Sequence, residues 1–338
     1  MTLLTTELVE PSPAQSSPES ISTSTSMARQ VSRSAYSPSE PLLSVGLPQS
    51  AYAASIAHLP GITPQRLKAL MDKDTPSQIW AYLNPNKTKQ ESEQEVFRIW
   101  SRYLSLGIKL HILSECNYIP YLKEDPQLPA ILFGKGSFAD LSFLQKPKVA
   151  VVGTRSATHY GREVASELAS NLTSKGIVVI SGLAKGINAA AHGGALSTPN
   201  SSAPILGVAG SGLDVIYPSA NAQLWKDVAK NGAIISEAPL GAAPEKWRFP
   251  LCNRIIAALS QAVVVVESGI SGGSFHTVEA AIQRGIPVLA VPGSIRSPAS
   301  AGTNSLLSQG AIPLCDVDDV LTAMGLGEAA NSMEIRIS

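Results

Sequence analysis

Residues 148–191 decide the fold of this chain, and they read KVAVVGTRSATHYGREVASELASNLTSKGIVVISGLAKGINAAA. Val149 to Val152 are an apolar run without alternation, which is the pattern of a parallel strand buried on both faces. Apolar residues then recur at spacings of three and four as far as Leu172, which predicts a helix. Ile177 to Ile180 predicts a second strand. The stretch is therefore a strand–helix–strand unit, and each of its strands ends in a glycine-containing loop.

The alternation of strands and helices continues beyond this unit. Strands are predicted at 204–208, 233–236, 262–267, 287–291 and 311–314, with helices at 221–230, 253–259 and 304–308 and another that ends at 283. The run AVVVVE at 262–267 is the richest in β-branched residues, so we expect a central strand there. Regular alternation with short loops predicts an α/β fold with a doubly wound, mostly parallel sheet. Such sheets bind ligands at the carboxyl ends of their strands.

The residues before this domain divide into two segments. Residues 1–45 are rich in Ser, Thr and Pro and lack periodicity, which predicts a disordered extension. A transit peptide at 24–35 is disfavoured by the acidic residues nearby. Residues 46–106 are predicted to be a small helical domain, with an aromatic core rather than a base-stacking surface at Trp80, Tyr82, Trp100 and Tyr103.

The turn at 59–62 has two interpretations, and the residues after 106 connect the helical region to the main domain. The turn Leu59-Pro-Gly-Ile62 fits a plain helical bundle, which we favour, or a helix-hairpin-helix module whose turn amides touch a DNA phosphate. Residues 107–113 alternate weakly like a strand. The segments 117–122 and 128–133 are predicted to be a proline-bounded connector into the main domain.

Composition excludes several classes of protein. The 338 residues carry a formal net charge of zero, so an interaction with a polyanion must depend on a local site. Three widely spaced cysteines without a Cys-x-x-Cys motif argue against a disulfide framework or a zinc ribbon, and they fit a reducing, cytoplasmic location. No apolar run approaches the roughly 18 residues of a membrane span. A P-loop is missing, and Arg155 stands where a dinucleotide fold needs glycine, so we expect no nicotinamide or flavin cofactor. His276 has no partner at metal-ligand spacing, so we expect no metal either.

Three cations are predicted to meet at one edge of the sheet. Arg155 follows the first strand and Lys185 follows the second, so both should project from the carboxyl ends of neighbouring strands. Arg254 is a candidate third cation, and Phe249 offers a stacking face. Such a cluster suits several successive phosphates. Alternatively, Arg254 is a structural residue that pairs with Asp214 or Glu267.

The loop Ser271-Gly-Gly-Ser-Phe-His-Thr277 brings small residues and hydroxyls to the start of a predicted helix. Free amides and the helix dipole could hold an anion there. The alternative is an ordinary N-cap in which Ser274 bonds the amide of Thr277. We assign no role to His276, and we expect His192 to be a core histidine. No catalytic acid–base pair can be placed by spacing, which argues against an enzyme.

Seven motifs carry a resemblance to a known family. They are GTR at 153–155 with YG at 160–161, SGLAKGINAAAH at 181–192, GSGLDVIYPSAN at 210–221, FP-x-x-NRIIAALS at 249–260, VVVES at 264–268, SGGSFHT at 271–277 and AVPGS at 290–294. In order and spacing they closely resemble the DNA-processing protein A (DprA/Smf) family across residues 110–320. The resemblance implies a Rossmann-like sheet domain at 107–322, a sterile-alpha-motif-like helical domain at 46–106 and a short tail at 323–338.

The same resemblance implies a function. The family binds single-stranded DNA, protects incoming DNA and helps to load the RecA recombinase in natural transformation, without established catalysis. The matched positions implied to contact the strand are Arg155, Ser181, Gly182, Lys185, Phe249, Asn253, Arg254, Ser271 and Thr277. Two positions depart from the pattern: Asn188 replaces a usual aspartate, and Cys252 replaces a usual arginine. These departures bear on affinity more than on function.

Other functions compete with this one. A phosphoribohydrolase-like enzyme would hold a nucleotide phosphate in the Ser271-Gly-Gly-Ser274 loop, with Glu279 as the nearest acid. A scaffold protein would bind no ligand at all. We also expect a homodimer, because Leu306 and Leu307 lie side by side on a short helix before an edge strand and cannot both turn into its own core. In the alternative, Leu307 is core and Leu306 is an isolated surface residue.

Overall fold

The computed structural model describes residues 46–112, 125, 127–199 and 203–327. The predicted disordered extension at 1–45, the connector at 117–122 and most of the predicted tail lie outside the described residues. All described residues fall in one compact unit that spans Leu42–Ser338. The division of this unit into a helical domain and a sheet domain near residue 106 stays a prediction.

Four helices precede the sheet: α1 (Gln49–Ala57), α2 (Pro64–Met71), α3 (Pro76–Leu83) and α4 (Lys89–Ser105). Threonines begin the last three, and at α4 the Thr88 hydroxyl accepts a hydrogen bond from the Glu91 amide. Trp80 and Tyr103 are buried as expected. The prediction for Tyr82 was wrong, because its side chain is 79% exposed. Its position two residues after Trp80 turns it to the opposite face of α3.

The described residues form a nine-stranded sheet. Its strands are β1 (Ile108–Ile112), β2 (Ile131–Lys135), β3 (Lys148–Val152), β4 (Val178–Gly182), β5 (Ile205–Val208), β6 (Gly232–Ser236), β7 (Ala262–Val265), β8 (Val288–Ala290) and β9 (Ile312–Pro313). The spatial order is β1-β2-β6-β5-β4-β3-β7-β8-β9. Strands β3 to β9 pair in parallel, whereas β1 and β2 are added antiparallel at the β6 edge. The doubly wound α/β fold is confirmed, and β7 lies inside the sheet.

Strand β2 replaces part of the predicted connector. Residues 128–133 were predicted to be part of a proline-bounded connector, but the strand begins two residues after Pro129, at Ile131. Its partner in the sheet is β6, where Phe133 pairs with Ser236. Tyr103 of α4 stacks on Phe133 with 4.9 Å between ring centroids. The antiparallel strands therefore join the helical region to the sheet.

Helices cover both faces of the sheet. On one face lie α5 (His159–Ser174), α6 (Ile187–Ser197), α7 (Ala222–Asn231) and α11 (Val317–Ala323), and on the other α8 (Arg248–Ala258), α9 (Phe275–Ile282) and α10 (Ala301–Ser308). Successive residues of β3 feed the two layers, since Val149 and Val151 join one apolar cluster and Ala150 and Val152 join the other. This explains the non-alternating apolar run.

A glycine sets the separation of α5 and α6. A Cβ atom at Gly194 of α6 would collide with the carbonyl of Ser166 in α5. Only a residue without a side chain permits this approach of the two helix backbones. Because α5 and α6 follow β3 and β4, their packing also fixes how the loops after these two strands sit side by side.

The two leucines of α10 pack differently from the expectation. Leu306 is 5% exposed and belongs to the core, and Leu307 is partly buried against the same apolar cluster. The premise that one helix cannot turn both leucines inward was therefore wrong, and so was the alternative in which Leu306 is a surface residue. Strand β9 does lie at the edge of the sheet, although it is shorter than predicted.

Candidate nucleic-acid interface

A pocket of about 690 Å³ opens at the carboxyl ends of the parallel strands. The chain runs from β3 outward through β4 and β5 to β6, and then returns to the other side of β3 at β7. The strand order reverses at this point, which is where doubly wound sheets form a ligand-binding crevice. Residues after β3, β4 and β5, the first turn of α8 and the start of α9 line the pocket. A single nucleotide fits within such a volume.

Arg155 and Lys185 both line the pocket, as their positions after neighbouring strands predict. The Arg155 guanidinium lies over the Phe249 ring, 4.7 Å from its centroid. Phe249 in turn packs against Tyr217, with 5.9 Å between the ring centroids. Both cations are exposed, and neither makes an ion pair with any described residue. The pocket mouth therefore combines unpaired positive charge with an aromatic face.

The loop that carries Arg155 is held by a buried carboxylate. Thr158, the N-cap of α5, donates its amide (2.9 Å) and its hydroxyl (2.5 Å) to the Glu267 carboxylate. The Glu267 backbone carbonyl also accepts the Thr154 amide at 2.8 Å. Glu267 is 2% exposed, and its carboxylate accepts these hydrogen bonds at the N-terminus of α5, where the helix dipole favours an acidic acceptor. Sequence reasoning offered Glu267 only as a partner for Arg254, and it missed this positioning role.

A backbone contact joins the loops of the two cations. The amide of Ile187, at the start of α6, donates to the Thr154 carbonyl at 3.2 Å. Gly186 has a φ of +78°, and a Cβ there would collide with this same carbonyl. Glycine is needed at this position both for its left-handed backbone and for the close approach.

Arg254 does not line the pocket. Its guanidinium makes two hydrogen bonds to the Glu237 carboxylate, at 2.9 and 2.7 Å, and the two side chains are only 14% and 8% exposed. The structural alternative named a carboxylate partner, but the partner is Glu237 rather than Asp214 or Glu267. Asp214 instead accepts the Gly241 amide. A direct contact of Arg254 with DNA stays a prediction, and the geometry does not place its charge in the pocket.

Of the positions after β4, Gly182 lines the pocket but Ser181 does not. Ser181 is fully buried and donates its hydroxyl to the Val151 carbonyl at 2.6 Å. His192 is buried beneath them with its Nε2 3.1 Å from the Gly182 carbonyl. Burial lowers the pKa of His192 to about 4, which keeps it neutral. The expectation of a core histidine is confirmed.

The start of α9 forms the opposite wall. Thr277 lines the pocket, yet it is 1% exposed and its hydroxyl has no hydrogen-bond partner among the described residues. Asn253 of α8 also lines the pocket and donates to the Gly273 carbonyl at 3.0 Å. Ser271 is exposed and lies outside the lining. Ser274 is the N-cap residue of α9, but the alternative in which its side chain caps the helix was wrong, because that hydroxyl pairs with Ser268 at 2.8 Å.

Several lining residues were not predicted as site residues. They are Lys246, Tyr217 and the two departures from the family pattern, Asn188 and Cys252. Lys246 is exposed and makes no ion pair within the described ranges. Cys252 is buried and donates its thiol to the Val208 carbonyl, and burial raises its pKa to about 12. Position in the Pro-rich loop before α8 could have indicated Lys246, since that loop borders the strand ends.

Candidate chemistry is sparse in the described part of the chain. No group of three or more His, Cys, Asp or Glu side chains among those residues could hold a metal ion. None of the helices in the described ranges is long and apolar enough to cross a membrane. Glu279, the acid considered for nucleotide chemistry, lies outside the pocket lining, and its carboxylate is 3.6 Å from His276.

Comparison with known proteins identifies the family. Residues 109–325 match the family model described as DNA recombination-mediator protein A. The chain belongs to this family. It is 37% identical over 236 residues to the DNA processing protein DprA of Bacillus subtilis (strain 168), and the match covers 69% of this chain and 77% of that protein. The resemblance read from the motifs is thereby confirmed, and the nucleotide-processing alternative is not favoured.

Solved structures of this recombination-mediator family share the fold. DNA processing protein A of Streptococcus pneumoniae has a TM-score of 0.65 and 31% identity, with coverage of 82% of this chain and 98% of that chain. The Helicobacter pylori protein, whose structure addresses its single-stranded DNA binding mode, has a TM-score of 0.55 and 28% identity. That match covers 64% of this chain and 95% of that chain.

Proposed function

We propose that this protein binds single-stranded DNA in the pocket at the strand ends and acts, without catalysis, as a recombination mediator in the cytoplasm. The observation that carries the proposal is the pocket mouth, where Arg155 and Lys185 have no acidic partner among the described residues and the aromatic ring of Phe249 lies beneath the Arg155 guanidinium. Membership of the recombination-mediator family and the single-stranded DNA binding mode described for the Helicobacter pylori relative support it.

The chemistry of the mouth suits a single strand better than a duplex. Cations read the phosphates, and an aromatic ring stacks on an unpaired base whose face is accessible. In a duplex the bases are already stacked on one another, so Phe249 would have no face to contact. Among the exposed charges of the lining, Arg155, Lys185 and Lys246 can each neutralise one phosphate.

A binding experiment across a salt series tests this function. The full chain is titrated with single-stranded and double-stranded oligonucleotides of equal length, and affinity is measured by fluorescence anisotropy. Two or three phosphate contacts predict a log–log slope of about −1.4 to −2.1 for the single strand, at about −0.7 per phosphate. Equal affinity for the duplex, or affinity that does not change with salt, would refute the proposal.

Loading of the RecA recombinase during natural transformation is the second part of the proposal, and it follows from the family alone. A mediator should lower the lag before RecA assembles on a strand already covered by single-strand-binding protein. ATP hydrolysis by RecA on such a strand measures this lag. No change in the lag at saturating protein would contradict a mediator role.

We also propose a homodimer formed through α10 and the edge strand β9. Ile312 is 38% exposed on β9, and an uncovered strand edge can pair with its symmetry mate. Two pockets in one dimer would engage one strand with added avidity. Sedimentation should give a dimer for the wild type and a monomer for Ile312→Arg, whereas Leu306 is unsuitable for this test because it is core. If the wild type is a monomer at micromolar concentration, the homodimer proposal is refuted.

A further inference from the structure

Tyr103 joins the helical region to a loop that borders the pocket, although Tyr103 itself does not line the pocket. Its side chain on α4 is fully buried and stacks on Phe133 of β2. Its hydroxyl accepts a hydrogen bond from the Leu240 amide at 3.2 Å. Leu240 lies in the loop after β6 and is 5% exposed. A helix that precedes the sheet therefore supplies the acceptor for a buried backbone amide beside the pocket.

The hydroxyl proton of Tyr103 has an acceptor of its own. Because the Leu240 amide can only donate, the hydroxyl oxygen accepts from it, and the hydroxyl proton is free to point to His58 Nε2 at 2.9 Å. This arrangement requires neutral His58 with its proton on Nδ1. Burial, and after it the charge of Arg102, lowers the pKa of His58, whereas the charge of Asp214 acts in the opposite direction. The hydroxyl is thus satisfied both as donor and as acceptor.

The amide that Tyr103 binds belongs to a turn that also holds the neighbouring loop. The Ala242 amide donates to the Pro239 carbonyl at 3.1 Å and closes the turn. The Ala242 carbonyl accepts the Gly212 amide at 3.0 Å. The Asp214 carboxylate accepts the Gly241 amide at 2.8 Å. The turn at 239–242 is therefore tied to the helical region on one side and, on the other, to the loop after β5.

Lys246 lies towards the other end of the same loop. Residues 242–245, all of which the structure describes, belong to no helix or strand, and Lys246 comes shortly before α8 begins at Arg248. Its position is therefore fixed from two sides, by α8 and by the turn at 239–242. Lys246 is exposed and lines the pocket. A loop released at the turn would have to be ordered again when a strand binds, and this ordering costs affinity.

We infer that Tyr103 is a positioning residue for DNA binding: its hydroxyl holds the turn at 239–242, and the turn holds Lys246 at the pocket. The inference rests on the proposed binding of single-stranded DNA and deepens it, because it gives the helical region a part in binding without contact with the strand. Arg155 and Lys185 are carried by the loops after β3 and β4, so they do not depend on this connection.

A double-mutant cycle measures the link between Tyr103 and Lys246. Tyr103→Phe keeps the ring stacked on Phe133 and removes only the hydroxyl. We expect it to weaken binding of single-stranded DNA by the full chain about threefold to fivefold, but less than about 1.5-fold when Lys246→Ala is already present. In the Lys185→Ala background the loss should stay at about threefold to fivefold. The matched control is Tyr82→Phe on α3, where the side chain is exposed, and it should leave affinity unchanged.

Hydrogen exchange tests the loop in the absence of DNA. Tyr103→Phe takes away the acceptor of the Leu240 amide, so exchange should become at least about fivefold faster in peptides that cover 237–246. Peptides that cover the loops at 153–158 and 182–187 should exchange as in the wild type. Exchange that does not change at 237–246, or that rises alike in every peptide as in a globally destabilised chain, overturns the inference.

The outcomes of the cycle separate this inference from the proposed function. Equal losses from Tyr103→Phe in the wild-type, Lys246→Ala and Lys185→Ala backgrounds, or no loss in the wild-type background, remove the positioning role and leave the function standing. If the wild type binds no single-stranded DNA, the proposed function fails, and the positioning role fails with it.

Discussion

Two arginines that sequence reasoning assigned to the same pocket have opposite fates in the structure. Arg155 lies exposed over Phe249 and makes no ion pair with any described residue. Arg254 lies on α8, and Glu237 accepts two hydrogen bonds from its guanidinium. One charge is available to a ligand, and the other is already compensated within the chain. A cation marks a binding site only when its own protein leaves it unpaired.

The same contrast extends to uncharged groups. Ser181, on the interior side, donates its hydroxyl to a backbone carbonyl. On the pocket side, the Thr277 hydroxyl is buried without a partner among the described residues. Because buried polar groups are normally hydrogen-bonded, this unpaired hydroxyl indicates a position where the protein gives up stability beside the pocket.

Loss of the ion pair between Arg254 and Glu237 should have the largest effect on stability. Arg254→Ala leaves the mostly buried Glu237 charge without its partner, so we expect the free energy of unfolding to fall by about 3–5 kcal/mol. Urea denaturation measures it. Arg155→Ala, which removes an exposed arginine, is the matched control and should change stability by no more than about 0.5 kcal/mol. Equal losses in the two variants would erase the distinction between them.

His192 sharpens the contrast through pH. Its pKa is lowered from 6.5 to about 4 in the folded state, so below pH 6.5 the unfolded chain binds a proton that the folded chain does not. Stability is therefore fully present above pH 6.5 and is lost as pH falls to 4, by roughly 3 kcal/mol at about 1.4 kcal/mol per unit. His192→Gln should flatten this part of the stability curve, measured by urea unfolding at each pH. Parallel curves for variant and wild type would show that His192 is not the group responsible.

Substitution at the pocket mouth should affect binding instead of stability. Arg155→Ala and Lys185→Ala are each expected to weaken single-stranded DNA binding about tenfold, since each removes a charged contact to phosphate. Lys226→Ala and Lys230→Ala remove the same charge from α7, away from the strand ends, and should stay within about twofold. Anisotropy titrations at one salt concentration compare the four. The pocket assignment fails if all four behave alike.

Thr277 should give the smallest effect, with the opposite sign. Thr277→Val removes a buried hydroxyl that has no described partner, so stability should rise by up to about 1 kcal/mol. The matched control is Thr303→Val, because the Thr303 hydroxyl donates to the Ser300 carbonyl and its loss should cost about 1 kcal/mol. Thermal unfolding separates the two, and destabilisation by both would mean that the Thr277 hydroxyl has a partner in solution.

Local sequence signals predicted the frame of the molecule. The runs at 149–152 and 262–265 are rich in β-branched apolar residues and have the length typical of a buried parallel strand, and both are strands. Strand β2 was not predicted, because Pro129 lies just before it and because its partner strand β6 is about 100 residues away in the sequence. Non-local antiparallel pairing leaves no periodic signal in either strand.

Site residues could be predicted from the sequence where they directly follow a parallel strand, because the strand order then fixes their position. Arg155 and Lys185 follow neighbouring parallel strands, so topology alone brings them together. Arg254 lies on a helix, and nothing in a separation of 17 residues indicates that Glu237 would reach it. Similarly, adjacency of Leu306 and Leu307 does not tell how α10 is rotated, and only packing decides that both face the apolar cluster.

The close packing of α5 and α6 makes the pocket adjustable from a distance. The loops that carry Arg155 and Lys185 lead into these two helices, and the helices are held together where Gly194 meets the Ser166 carbonyl. A methyl group at 194 would act as a wedge, spreading the helices and with them the spacing of the two charges. The distance between the two charges, and with it the spacing of phosphates that they can contact, is thus set partly by Gly194, which does not line the pocket. Affinity for a strand can therefore be engineered at a position outside the binding site.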